Sequence, residues 1–248
     1  HPSVLIEALQ HQGYQFGLFS TDGFSSPLFR QAILSDYSLP TKAADNDKQT
    51  IAQWNLWLDN VKHGSPWFSF LNIKGAPGSN QTDNQISQVI ETLKSQNKLN
   101  NTIVVITANY NSNGSQDTDW VNKKHFNRDS MQVPLFIYWP NTPAQQIDKL
   151  TSHQDVMTTL MQRVLHVNNP PDDYSQGEDL FSAQRTYPWV ITGDKSDVVI
   201  TTNSATMYMD HNGQFNIYDP QGNEQTDDKP DLAELLKIFT ELKRFNEN

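Results

Sequence analysis

The 248-residue chain contains no cysteine. That absence removes disulfides, thiolate nucleophiles and Cys-ligated zinc in one step, although it names no compartment. Basic residues are also scarce: 18 Lys and Arg stand against 28 Asp and Glu, a formal net charge of −10. A general nucleic-acid binder needs cations to displace phosphate counterions, so the balance argues against nucleic acid as a partner. No apolar run approaches the roughly 20 residues that cross a bilayer. There is no Gly-rich phosphate loop, no H-E-x-x-H and no G-x-S-x-G. The chain opens at His1 with neither Met nor a signal-peptide pattern, so we expect a processed or excised piece of something longer. Its asparagine-rich, lysine-poor polar composition suits an extracytoplasmic domain.

What is present is a rhythm of helices and strands. "SVLIEALQHQ" predicts a helix behind Ser3, and "GYQFGLFS" a strand. "SSPLFRQAIL" predicts a short helix with Pro27 in its first turn, followed by a polar linker from Leu39 to Asp47. "KQTIAQWNLWLDNVKHG" sets Ile51, Trp54, Leu58 and Val61 on one stripe and offers Gly64 as a helix stop. "PWFSFLNIK" predicts a strand, and Ile86, Val89, Ile90 and Leu93 mark the face of another helix. "NTIVVITA" predicts a buried strand, "VPLFIYWP" a further strand and "SHQDVMTTLMQRVLHV" an amphipathic helix. Helices alternating with continuous apolar strands predict an α/β fold with a mostly parallel sheet covered on both faces. After residue 183 the pattern becomes four short strands, with "DHNG" (210–213) as a hairpin signal, and a helix from Asp231 to Phe245. In that helix Leu232, Leu235, Leu236, Phe239 and Leu242 fall at helical spacing. The expected organisation is an α/β core over 1–183 and an antiparallel αβ subdomain over 184–248.

In a parallel sheet, chemistry collects beyond the carboxyl ends of the strands. Those ends carry Ser20, Thr21, Asp22 and Gly23; Asn72 and Lys74; and Asn109 and Tyr110. The polar loop after them holds Asp117, Asp119, Lys123, Lys124, His125, Arg128 and Asp129. Asp22 is a metal ligand, a base, or the turn residue of a "TDG" bend, and the turn reading comes first because Asp before Gly commonly bonds its own backbone. Lys123, Lys124, His125 and Arg128 form either a clamp for an anionic headgroup or a solvated loop face. His153 beside Asp155 looks like half of a metal pair, but Ser152 and Asp155 have capping-box spacing, which accounts for them without chemistry. Trp54, Trp57 and Trp67 read as core.

In order and spacing, several segments resemble the sulfatase and phosphoglycerol-transferase branch of the alkaline phosphatase superfamily. They are "LIEALQHQGYQFGLFSTDGF", "PWFSFLNIKG", "DNQISQVIETL" with "NNTIVVITA", "QVPLFIYWPNTP", "TSHQDVMTTLMQRVLHV" and "YSQGEDLF". The likeness covers residues 1 to about 183, and the tail resembles the family's C-terminal subdomain. It implies a three-layer αβα sandwich whose N-terminal part, with the nucleophile, lies upstream of this chain. The segment between "NIKG" and "SNQTDNQI" (Gly75 to Ser79) is short for the family.

The departures shape the functional expectation. Active members end the strand with Thr-Ser-Asp-His-Gly, whose Asp and His bind the catalytic metal; here Thr107-Ala108-Asn109-Tyr110-Asn111 stand at those places. Thr21 and Gly23 align with the Lys and His of the Gly-Lys-Trp-His segment. Hard cations want anionic oxygen, so the expected reading has no cofactor. "STDGFSSPLFRQAILSD" and "HQDVMTTLMQRVLHV" resemble members tethered to the inner membrane. That resemblance implies a periplasmic, catalytically degenerate domain attached through an N-terminal membrane region. Its partners would be anionic lipid, cardiolipin or lipid A, and inner-membrane proteins, with a role in restraining lipopolysaccharide synthesis. The alternative is a metal-dependent hydrolase or transferase holding one Mg²⁺, Mn²⁺ or Zn²⁺ through Asp22, His125 and upstream ligands. In the degenerate reading Asn109 and Tyr110 are vestigial metal-site positions, and Asp22, Lys74, Lys123, Lys124, His125 and Arg128 are the candidate binding edge.

Overall fold

A computed structural model describes residues 3–24, 43–76, 78–109, 121–122, 125–193, 197–227 and 231–246. The helix expected over 25–34 lies outside them, as do Tyr110, Asp117, Asp119, Lys123 and Lys124. Of His125 the backbone alone is described. The chain forms two compact units. The first comprises His1–Val104, Ile137–Pro143 and Leu160–Asn168, and the second Val105–Phe136, Ala144–Thr159 and Asn169–Asn248.

In the first unit, α1 (Val4–His11) runs into β1 (Gln15–Ser20) through a turn at Gly13, whose φ of 78° favours glycine. β1 pairs in parallel with β2 (Trp67–Asn72), with Gln15 opposite Trp67 and Ser20 opposite Asn72. Between the two strands lies α2 (Asp47–Asp59). Its start is set by Asn46, whose side chain accepts from the Gln49 amide at 2.9 Å, while Gln49 Oε1 accepts from the Asp45 amide at 2.6 Å. The end of the expected linker is thus a capped helix start, and Asp47 is 8% exposed. α2 also stops earlier than Gly64. Asn60 Nδ2 donates to the Leu56 carbonyl at 2.7 Å, and its amide closes a four-residue turn on the Trp57 carbonyl. Gly64, with φ 79°, serves the turn that follows.

Trp54 and Leu58 of α2 pack with Leu93 of α3 (Gln81–Ser95), and Phe19, Trp57, Trp67 and Val89 surround them. All three tryptophans are therefore core or core-flanking, as their spacing predicts. Trp57 lies so close to β1 that a Cβ on Gly17 would sit 2.6 Å from its ring, so this strand glycine gives an indole room to approach.

β3 (Val104–Thr107) pairs with β6 (Leu135–Tyr138). The expected full burial of β3 is not found: Val104 to Ile106 are half-buried and Thr107 is exposed. Burial along β6 alternates, leaving Phe136 65% and Tyr138 44% exposed. The period-2 geometry of a strand puts these alternate side chains on one open face, so the apolar run does not mean coverage on both sides.

In the second unit, β4 (Val121–Asn122) and β5 (His125–Phe126) form a short antiparallel pair, and α4 (His153–Arg163) begins behind Ser152. The tail is an antiparallel sheet in the order β10-β9-β8-β7, made of β7 (Trp189–Gly193), β8 (Val198–Thr202), β9 (Thr206–Met209) and β10 (Phe215–Tyr218). The "DHNG" hairpin is present: Asp210 accepts from the Asn212 and Gln214 amides, and Gly213 takes φ 77°. α5 (Leu232–Asn246) starts behind Asp231, which accepts from the Ala233 amide at 2.9 Å. Ile238, Leu235 and Leu242 form its inward arc, and Ile238 packs with Trp189 and Ile200. Leu232 and Leu236, expected on the same stripe, are 72% and 68% exposed. The core is centred on Ile238, which turns them outward.

Candidate functional site at the strand tips

The parallel register brings the tips of β1 and β2 together. Asn72 Nδ2 donates to Ser20 Oγ at 3.0 Å, and the Thr21 amide donates to the Asn72 carbonyl at 3.0 Å. Asp22 and Lys74 stand exposed on these neighbouring tips. Asp22 occupies the bend closed by the Gly23 amide on the Ser20 carbonyl, with Gly23 at φ 71°.

The group that organises this edge is Asp47, the last residue of the expected linker. Its Oδ1 accepts from Thr21 Oγ1 at 2.7 Å and from the Lys74 amide at 2.8 Å, and its Oδ2 accepts from the Gly75 amide at 2.9 Å. Thr50 Oγ1 lies 2.7 Å from Thr21 Oγ1 and 3.1 Å from the Asn46 carbonyl; Thr21 spends its proton on Asp47, so the single Thr50 proton is shared between Thr21 Oγ1 and that carbonyl. Burial opposes the charge on Asp47 most strongly, but the bonds from Thr21, Lys74 and Gly75 together outweigh it and hold the carboxyl below its ordinary range. The available clue was "ADND" ahead of an apolar stripe, which marks a helix start.

In the second unit, the β3 tip is held by Thr107. Its hydroxyl donates to the Pro134 carbonyl at 2.8 Å and meets His153 Nε2 at 2.8 Å. With the Thr107 proton spent, Nε2 carries the proton of that second bond. His153 therefore braces a strand end and is not paired with Asp155. Asp155 is 1% exposed and accepts from the Ser152 amide, the Glu178 amide and Arg185 Nη1 at 2.8, 2.8 and 2.7 Å. The predicted cap is real, and it carries a buried ion pair that spacing did not reveal.

Asn109, two residues beyond Thr107, is exposed. Arg128 Nη2 donates to the Thr202 carbonyl, and burial lowers the guanidinium pKa from its ordinary value. His125 pairs with Asn122 across β4 and β5. Among the described residues of the β3 tip, the donors are a hydroxyl already engaged twice and an exposed amide. Neither is anionic, so these residues do not fit the hard divalent cation that the fold family implies.

The family profile described as Sulfatase matches residues 78–166. The chain is 43% identical, over its whole length, to the inner membrane protein YejM of Salmonella typhimurium, and spans 44% of that protein. It is 32% identical, over 96% of its length, to an uncharacterized protein of Haemophilus influenzae, of which it spans 42%. The chain thus spans less than half of the curated relatives it matches. Among solved structures, an alkaline phosphatase superfamily protein from Vibrio parahaemolyticus aligns with a TM-score of 0.66 at 12% identity, covering 96% of this chain and 67% of that one. A phosphonate monoester hydrolase from Silicibacter pomeroyi aligns with a TM-score of 0.53 at 14% identity, covering 98% and 68%. The paired parallel strands, the separate antiparallel tail and these likenesses agree: the chain has the fold of alkaline phosphatase superfamily structures, matches the Sulfatase family over residues 78–166 and is similar throughout to YejM.

Proposed function

We propose that this is the periplasmic, sulfatase-like domain of an inner-membrane protein, catalytically degenerate and acting in recognition of anionic lipid. The observation that carries the reading is the β3 tip, where Asn109 and Tyr110 follow a Thr107 already committed to Pro134 and His153. An amide and a phenol hydrogen-bond a headgroup but supply no anionic oxygen to a cation. That YejM is an inner membrane protein supports the tether. In this reading the exposed Lys74 and the sequence neighbours Lys123, Lys124 and His125 meet phosphate groups of cardiolipin or lipid A, and the whole protein restrains lipopolysaccharide synthesis through inner-membrane partners.

The test is co-sedimentation with phosphatidylcholine vesicles with and without cardiolipin, together with calorimetry of Mn²⁺ and Zn²⁺. Binding that requires cardiolipin, weakens in Lys123→Ala/Lys124→Ala and comes without metal binding is expected. Sub-millimolar Mn²⁺ or Zn²⁺ binding abolished by Asn109→Ala would instead favour a metal-dependent hydrolase or transferase.

A further inference from the structure

The tips of β1 and β2 make a concave set of donors. The amides of Lys74 and Gly75 are successive N–H groups that donate to the two oxygens of one carboxylate, Lys74 to Oδ1 at 2.8 Å and Gly75 to Oδ2 at 2.9 Å, while the next amide, that of Ala76, donates to Thr82 Oγ1 at 3.0 Å. Successive amides turned this way form nests that bind anions. A third donor, the Thr21 hydroxyl, arrives from the other strand at 2.7 Å. The first turn of α2 adds its positive end, because Asp47 is the first residue of that 13-residue helix. The occupant of this set is the Asp47 carboxylate, 8% exposed. The helix does not need Asp47 as its cap, since Asn46 already accepts from the Gln49 amide.

We infer that the tips of β1 and β2 form an oxyanion site, suited to a carboxylate, phosphate or sulfate group, that the chain fills with its own Asp47 side chain. Three donors from two strands converge on a carboxylate brought by a third element, which is how a bound anion would be held. Filled from within, the position is closed to an external anion. The inference concerns the tip geometry alone and does not depend on the lipid reading.

Removing the internal ligand should expose the site. In the full chain, Asp47→Ala is expected to lower the thermal midpoint. Formate or inorganic phosphate should then raise it saturably, by several degrees more than sodium chloride of equal ionic strength, while the unaltered chain shows no such preference. The Lys74 and Gly75 amide resonances of Asp47→Ala should shift with formate. A folded Asp47→Ala chain that responds alike to formate, phosphate and chloride overturns the inference. If it does not fold in chloride, Asp47→Ser enters the same series. Folding of either variant only in formate or phosphate supports the site, and failure of both in every salt overturns it.

Discussion

Arg185 Nη1 donates to Asp155 Oδ2 at 2.7 Å, and the two side chains are only 6% and 1% exposed. The pair joins the start of α4 to the segment entering β7. Arg185 also reaches Glu178 at 3.4 Å, and Glu178 in turn accepts from the Thr186 and Tyr187 amides. The Gly-Glu-Asp-Leu turn (177–180) is therefore a structural lock. Lys149 completes it by donating to the Asp179 and Ser182 carbonyls at 2.9 and 2.6 Å.

Removing one partner of a buried pair strands the other charge, which costs about 3–5 kcal/mol. Arg185→Met is expected to lose that much in urea denaturation. Arg185→Lys should recover little, because an ammonium cannot reproduce the fork that serves Asp155, Glu178 and the Tyr187 carbonyl. A loss below about 1 kcal/mol for Arg185→Met would place the pair among surface-like bridges.

Asp47 gives the domain a signed acid dependence. Its folded pKa lies below the ordinary 3.8, so the stabilisation it contributes is fully present above the unfolded value and is lost as pH falls through the folded one. Urea midpoints of the unaltered chain should fall as pH drops below the ordinary carboxylate range. The difference between the chain and Asp47→Asn should shrink over that interval. A constant difference would mean that the carboxylate charge contributes nothing.

Two glycines separate close approach from backbone conformation. A Cβ on Gly177 would stand 2.2 Å from the Gln154 carbonyl oxygen, whereas Gly64 has φ 79° and nothing within 4 Å of its Cβ position. Overpacking costs about 1–3 kcal/mol and more where backbone must move. A left-handed non-glycine residue costs about 1–2 kcal/mol. Gly177→Ala should therefore exceed Gly64→Ala in thermal destabilisation and should also loosen the Asp155 network. Equal losses would show that the 177–180 turn shifts freely.

How far such features were readable depends on whether their cause is local. The helix of Trp54 and Leu58, the Ser152–Asp155 cap and the Asp210–Gly213 hairpin follow from spacing within a few residues, and each is present. Asp47 was hidden because its three donors lie 26 to 28 residues away, and only the strand register brings them to it. The outward Leu232 and Leu236 were misread because helical spacing names a stripe but not which arc meets the core. At the β3 tip the residue types were legible, whereas the brace from Thr107 to His153 spans 46 residues and was not.

Phe126 offers the last prediction. This aromatic sits one residue after His125, is 1% exposed and packs with Val199 and Tyr218, its ring centroid 5.6 Å from that of Tyr218. Its amide donates to the Gly222 carbonyl at 2.9 Å, and Arg128 donates to the Thr202 carbonyl nearby in sequence. The segment carrying His125 is thus fastened to the antiparallel tail by contacts that include one buried ring and two backbone carbonyls. Truncating a buried Phe to Ala costs about 3–5 kcal/mol. Phe126→Ala should destabilise by that order, and Phe126→Leu, which keeps most of the apolar volume, by less. In Phe126→Leu, hydrogen exchange should quicken at the Phe126 amide while amides of β8 keep their protection, because local opening there no longer breaks a full aromatic contact. Equal acceleration at both places would mean that the ring supports the tail as a whole and does not selectively fasten the His125 segment.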